Sequence, residues 1–240
     1  MDYDFPVKLE GINTETGLSI PGKKAIVRTD TSEVLCLVSS NIKLKTHKSI
    51  VEDAEKLFLG FGHHDKTIFL DGANLTIRIA GTFKQSVAKL GDGTDIRMLI
   101  LVEHSYNVIK PNPIVYIGGF VKKHNTWFIN PNPVIVSNTR IAKSWEREFS
   151  KWSSWESCLL DYEKAVSMVK RGIPGVLNLD HTSYVIGQLR PNIEDKVSVW
   201  NVYYSIVRAI SLERFSSNDT KLKKIKELHR YINIKFYVLT

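Results

Sequence analysis

The sequence predicts an α+β protein: an antiparallel β-rich domain over residues 1–136 with one short packed helix, followed by a helical C-terminal region over 137–240. Three observations predict it. Short β-branched runs separated by turn residues recur from residue 24 to residue 129. Apolar residues three or four apart then form one stripe over 141–169, which is helical spacing. Pro131 and Pro133 stand between the two patterns and close the first.

The elements follow in order. Residues 7–22 read as a loop, punctuated by Gly11, Gly17, Pro21 and Gly22. Residues 24–28 and 34–38 are paired strands, and the polar segment 29–33 has the length and composition of their hairpin loop. Ser49 is placed as a helix N-cap, with Glu52 completing a capping box. Ile50, Ala54, Leu57 and Phe58 share one face of that helix, and Gly60 and Gly62 stop it. Strands are expected at 67–70, 75–80, 83–88, 96–102, 114–121 and 127–129, with turns at Asp71-Gly72, Gly91-Asp92-Gly93 and Asn112-Pro113. An antiparallel sheet carrying one helix is the economical arrangement.

Ser137, Asn138 or Thr139 can cap the helix that follows. Its stripe is Ile141, Trp145, Phe149, Trp152, Trp155, Leu159, Tyr162, Val166 and Val169, and Gly172 and Pro174 end it. Ser153-Ser154 is its weakest point, because serines compete for backbone hydrogen bonds. A second helix is expected at 197–215, presenting Val199, Trp200, Tyr203, Ile206, Val207 and Ile210. A third, at 219–231, sets Leu222, Ile225, Leu228 and Ile232 against Lys221, Lys223, Lys224, Lys226 and Arg230. Residues 234–239 read as a final edge strand.

A chain of 240 residues, 43% hydrophobic and 24% charged, holds a core without disulfide or metal and is not disordered. Cys36 and Cys158 are too few for a disulfide framework and read as reduced core residues of a cytosolic protein. No apolar run approaches the roughly 20 residues of a membrane span. The first residues, Met1 to Pro6, are acidic and have no apolar signal core.

The net charge of +8 is unevenly placed. Residues 1–100 carry 13 basic and 13 acidic side chains, whereas 101–240 carry 20 against 12, and 201–240 carry 8 against 3. That asymmetry points to a polyanion partner, of which nucleic acid is the commonest inside cells.

Motifs for chemistry are absent. Gly60-Phe61-Gly62 follows a helix and lacks the lysine of a phosphate loop. His63-His64-Asp65 has no second pair of ligands at metal spacing. Asp92, Asp95 and Glu103 are explained by a turn followed by a strand, and neither a nucleophile elbow nor a cysteine signature occurs. The expectation is therefore no catalytic residue, no metal and no cofactor. A basic patch interleaved with aromatics remains. Lys122, Lys123, Lys221, Lys223, Lys224, Lys226 and Arg230 are the candidates for phosphates, and Tyr116, Phe120 and Trp127 the candidates for base stacking.

The hairpin Ala25-Ile26-Val27-Arg28-Thr29-Asp30-Thr31-Ser32-Glu33-Val34-Leu35-Cys36-Leu37-Val38-Ser39, with Lys43 and the helix after it, resembles the opening of the uncharacterised phage/plasmid-like protein family. Ile42 stands where that family has a tyrosine. His104-Ser105-Tyr106-Asn107 looks like a degenerate form of the family's Ser-Tyr-Asp-Gly stretch, and Ser198-Val199-Trp200-Asn201-Val202-Tyr203 is similar to the start of its C-terminal helix. The resemblance implies a bacteriophage protein acting in the host cytoplasm and brings no catalytic residues with it. The resulting expectation is a non-enzymatic protein binding single-stranded DNA in phage replication or recombination. The alternative is a structural or homo-oligomeric interaction component, such as a virion part or assembly factor, motivated by the long tryptophan-bearing stripe.

Overall fold

The computed structural model describes residues 5–59, 64–81, 87–107, 113–134, 137–173, 175–177, 179–214 and 216–236. It is α+β, as expected. Strands β1 (Val7–Asn13), β2 (Ser19–Arg28) and β3 (Glu33–Ser39) form an antiparallel sheet in that order. Ile26 lies between Leu9 and Cys36 in its ladder and faces a core of Phe5, Val38, Ala73 and Tyr106. The segment 7–22, expected as a loop, instead supplies β1 and the start of β2. Val7 and Leu9 alternate with Lys8 and Glu10, a period-two signal that the glycines and Pro21 obscured. On the other face Val34 and Leu37, opposite Val27 and Ala25, are 58% and 56% exposed.

Helix α1 (His47–Leu59) begins two residues before the expected cap. Thr46 does the capping: its Oγ1 accepts from the Ser49 amide at 3.1 Å, and the Ser49 hydroxyl donates to the Thr46 carbonyl at 2.9 Å. The Ser49–Glu52 capping box is thus corrected to a cap one turn earlier. The expected stop at Gly60 and Gly62 lies outside the described residues. His47 also donates its amide to the buried Tyr106 hydroxyl at 2.8 Å, which ties the start of α1 to the sheet core.

Strands β4 (His64–Asp71), β5 (Asn74–Gly81), β7 (Asp95–Ser105), β8 (Ile114–Val121) and β9 (Thr126–Ile129) follow one another across a second sheet, with β6 (Val87–Lys89) paired to β7. The run expected at 83–88 is described only from Val87.

The strand-rich chain gives way to helices between β9 and α2 (Asn138–Ser157). The compact units are drawn differently from the boundary expected at 136. One unit is Met1–Ile79 with Ile100–Val115, the other Ala80–Leu99 with Tyr116–Thr240, so β5, β7 and β8 each contribute to both.

In the second unit α2 starts with Ser137 as cap, its Oγ accepting from the Arg140 amide. The stripe over 141–169 is not one helix. It breaks at Cys158, where β10 (Leu159–Asp161) pairs with β11 (Lys196–Ser198) before α3 (Tyr162–Arg171) begins. Ser154 and Ser157 do not break it, because their hydroxyls bond back to the carbonyls of Lys151 and Ser153. Helix α4 (Leu179–Gln188) was not expected. Helix α5 (Val199–Leu212) is capped by Ser198, and α6 (Asn218–Phe236) runs through residues expected as an edge strand. Ile225, Leu228, Ile232 and Phe236 continue one buried face through α6, which overrides the β-branched residues near its end. Residues 237–239 of that expected strand lie outside the described residues.

The core of this unit is aromatic. Phe128 meets Trp152 at 4.8 Å and Trp200 at 5.4 Å edge to face, and Trp200 stacks on Tyr204. Trp145, Trp152 and Trp155 are all buried here. The close approach of β9 to β8 depends on Gly118 and Gly119. A Cβ at Gly118 would lie 2.8 Å from Ile129 Cα, and one at Gly119 2.6 Å from Ile96 Cγ2. Gly118→Ala is expected to lower the unfolding free energy by about 3 kcal/mol. Gly11→Ala, where a Cβ meets nothing within 4 Å, should change it by less than about 0.5 kcal/mol. Parallel urea melts of the two variants check the contrast.

Candidate nucleic-acid interface

The basic residues of α6 are sorted by its buried face. Leu222, Ile225, Leu228 and Ile232 turn inward, so Lys221, Lys224 and Lys226 flank the core and Lys223 and Arg230 point to solvent. Each flanking lysine has a partner. Lys224 Nζ lies 2.6 Å from Glu213 Oε1, and Lys221 Nζ donates to the Ser211 carbonyl at 3.1 Å. Lys226 Nζ sits 3.9 Å from the centre of the Tyr116 ring. Burial alone would push the Glu213 carboxyl up, but hydrogen bonds from Lys224 and Ser216 hold it below the ordinary range. Arg230 reaches Glu227 at 3.9 Å, an exposed and weak pair. Lys223 is exposed, with no carboxylate within 4 Å among the described residues. The helix is not a free cationic stripe.

The stacking candidates fare similarly. Tyr116 and Trp127 are each 7% exposed and cannot offer a ring face to a base. Strand β8 is buried almost throughout, which is why its apolar and aromatic residues showed no clean alternation. Phe120 is half-buried and keeps part of its surface in solvent.

Lys122 and Lys123 are placed differently. Strand β8 leaves Val121 into a single 3-10 turn, Lys122–His124, which Asn125 closes with φ 47° and an amide bond to the Lys122 carbonyl. Both lysines are exposed, and neither has a carboxylate within 4 Å among the described residues. His124 is held from behind, its Nδ1 2.8 Å from the Tyr204 hydroxyl. Burial, then Arg208 and Lys123, push its imidazole below the ordinary value, so it is neutral at pH 7. Burial pushes the Tyr204 hydroxyl up to about 12.

This turn forms one wall of a cleft of about 320 Å3. The other wall is the loop between β6 and β7, with Asp92, Gly93 and Thr94, and Asp95 and Arg97 of β7 with Val87 and Val121 complete the lining. Glu156 of α2 clasps that loop, accepting from the amides of Gly91 at 2.9 Å and Asp92 at 2.6 Å. Asp92 Oδ1 accepts from the Thr94 amide at 2.7 Å. Of this wall the sequence had shown only a turn. Arg97, Tyr204 and Arg208 carried no local signal, since sheet pairing and helix packing bring them together.

Deeper in the same unit lies a closed polar cluster. Glu148, 1% exposed, accepts from Asn130 Nδ2 at 2.5 Å and from Lys151 Nζ at 3.0 Å and 3.1 Å, and lies 3.6 Å from His229 Nε2. Tyr203 OH is 3.4 Å from His229 Nδ1. Burial, with Lys151 nearby, depresses His229 to about 3. The unfolded chain therefore takes up a proton near pH 6.5 that the folded chain refuses until about pH 3. Stability falls across that window as pH falls, by up to about 1.4 kcal/mol per pH unit. His229→Gln is expected to flatten the dependence between pH 6 and pH 4 by close to one proton; equal slopes in urea titrations would assign the effect elsewhere.

No group of three or more metal-ligating side chains comes together among the described residues, and the His63-His64 pair lies outside them for its side chains. Among the described residues no helix is long and apolar enough to cross a membrane. No family model, no curated protein and no solved structure matches the chain.

Proposed function

We propose that the chain is a non-enzymatic nucleic-acid-binding protein that holds single-stranded DNA through phosphate contacts at Lys122 and Lys123, with Lys223 as a further cation. The supporting observation is that the two adjacent ammonium groups ride on a fixed turn, exposed and without a carboxylate within 4 Å among the described residues. Such groups gain a phosphate without breaking a pair, and the release of counterions from the strand drives the association. Lys224, by contrast, would first have to leave Glu213. Phe120, in the strand that feeds the turn, is the aromatic left to meet an unpaired base. Replication or recombination of a bacteriophage genome in the host cell is the setting that the hairpin resemblance suggests.

Lys122→Glu with Lys123→Glu is expected to weaken binding of a single-stranded oligonucleotide. It should also reduce the slope of log affinity against log salt by about 1.4, at about 0.7 per phosphate. Lys223→Glu should produce about half that change. Anisotropy titrations at several salt concentrations read both, and unchanged affinity in the double variant would remove the assignment.

Assembly is a second reading. The buried tryptophans no longer motivate it, but Val34 and Leu37 on the outer face of the β1–β3 sheet do. Sedimentation at micromolar concentration is expected to show a species larger than a monomer that Leu37→Glu dissolves; a strict monomer would dismiss this reading.

A further inference from the structure

The cleft beside Lys122 and Lys123 has a lining that a bare polyanion does not need. Lys122 and Lys123 line it, but so do Asp92 and Asp95. Neither aspartate forms an ion pair with a described residue, and neither lysine has a carboxylate within 4 Å among them. Lysines and carboxylates thus line one concavity without forming ion pairs with each other. A ligand that satisfies both must carry an anionic end and hydrogen-bond donors. Inorganic phosphate carries its hydroxyl donors on the same small anion, so it cannot place charge on the cations and donors on the carboxylates at separate points, and Asp92 and Asp95 would repel it. A nucleoside phosphate carries both, with its phosphate for the cations and its sugar hydroxyl or base amino groups for the carboxylates.

The walls are also built in advance. Glu156 holds the loop by two backbone amides, Gly93 takes a φ of 86°, Asn125 closes the turn, and the Tyr204 hydroxyl fixes the His124 ring. A volume of about 320 Å3 falls in the range of sites that take small molecules. His124, uncharged at pH 7, adds a hydrogen-bonding ring without adding repulsion or attraction for the phosphate. These features together distinguish the cleft from a patch of surface lysines.

We propose that this cleft is a seat for a single nucleotide, either free or as the phosphorylated end of a strand. It rests on the nucleic-acid reading above and names the unit which that surface receives.

The test is calorimetric titration of the full chain with each of the four 2′-deoxynucleoside 5′-monophosphates, with inorganic phosphate and with the unphosphorylated nucleosides. At least one monophosphate is expected to bind one site tenfold or more tighter than both inorganic phosphate and its own nucleoside. Asp95→Asn is expected to erase most of that advantage over inorganic phosphate. Tighter binding of a 5′-phosphorylated strand than of its 5′-hydroxyl counterpart would assign the seat to strand ends, and equal binding would assign it to free nucleotides. Strand binding that is sensitive to Lys122→Glu with Lys123→Glu, without any monophosphate preference over inorganic phosphate, overturns the seat alone. Failure of the wild-type chain to bind the strand as well would overturn the wider reading with it.

Discussion

One buried carboxylate organises the larger unit. Withdrawing an ionised group from water costs several kcal/mol unless its environment compensates, and Glu148 accepts from both Asn130 and Lys151. Asn130 reaches it from the end of β9 and Lys151 from its own helix, while the uncharged His229 of α6 packs 3.6 Å away and contacts Tyr203 of α5. Neither donor can shift far without leaving the buried carboxylate uncompensated. β9 is consequently pinned at Asn130, one strand length from the turn that presents Lys122 and Lys123. The exposed cations stand on a hairpin whose far end is fixed by the interior.

The same interior accounts for much of the electropositive sequence. The surplus of basic residues after position 200 suggested a surface, but Lys221, Lys224 and Lys226 serve the packing of α6. A lysine on the flank of a buried face lays its methylene stem along apolar groups and finds its nearest acceptor, here Glu213, a carbonyl or the Tyr116 ring. Formal charge therefore overstated how much positive field this helix can offer a partner. The turn after β8 contributes only two lysines to the sequence count, yet both remain open to solvent.

The sequence disclosed what local chemistry decides. The β2–β3 hairpin, the strands of the second sheet, the cap of α2 within Ser137 to Thr139 and the tryptophan stripe could all be read from spacing and side-chain type. What it hid depends on pairing across distance. The break at Cys158 exists because residues 159–161 find partners at 196–198, and no rule within the stripe announces it. Thr46 and Ser49 are both plausible caps, and contact of His47 with Tyr106, 59 residues away, goes with the earlier one. Burial of Tyr116 and Trp127 follows from β8 lying between β7 and β9, an order that the sequence does not print. The cleft is the extreme case, since its two walls are separate hairpin ends and its clasp comes from a helix 64 residues downstream of Asp92.

That clasp gives the loop an unusual relation to its surroundings. Both oxygens of Glu156 are taken up by backbone amides, which carry no net charge for dissolved ions to shield. Lysine–phosphate attraction weakens as an electrolyte is added, whereas the curvature of this wall does not depend on that attraction. On the reading proposed above, ionic strength dials occupancy up or down over a receptacle whose outline stays constant.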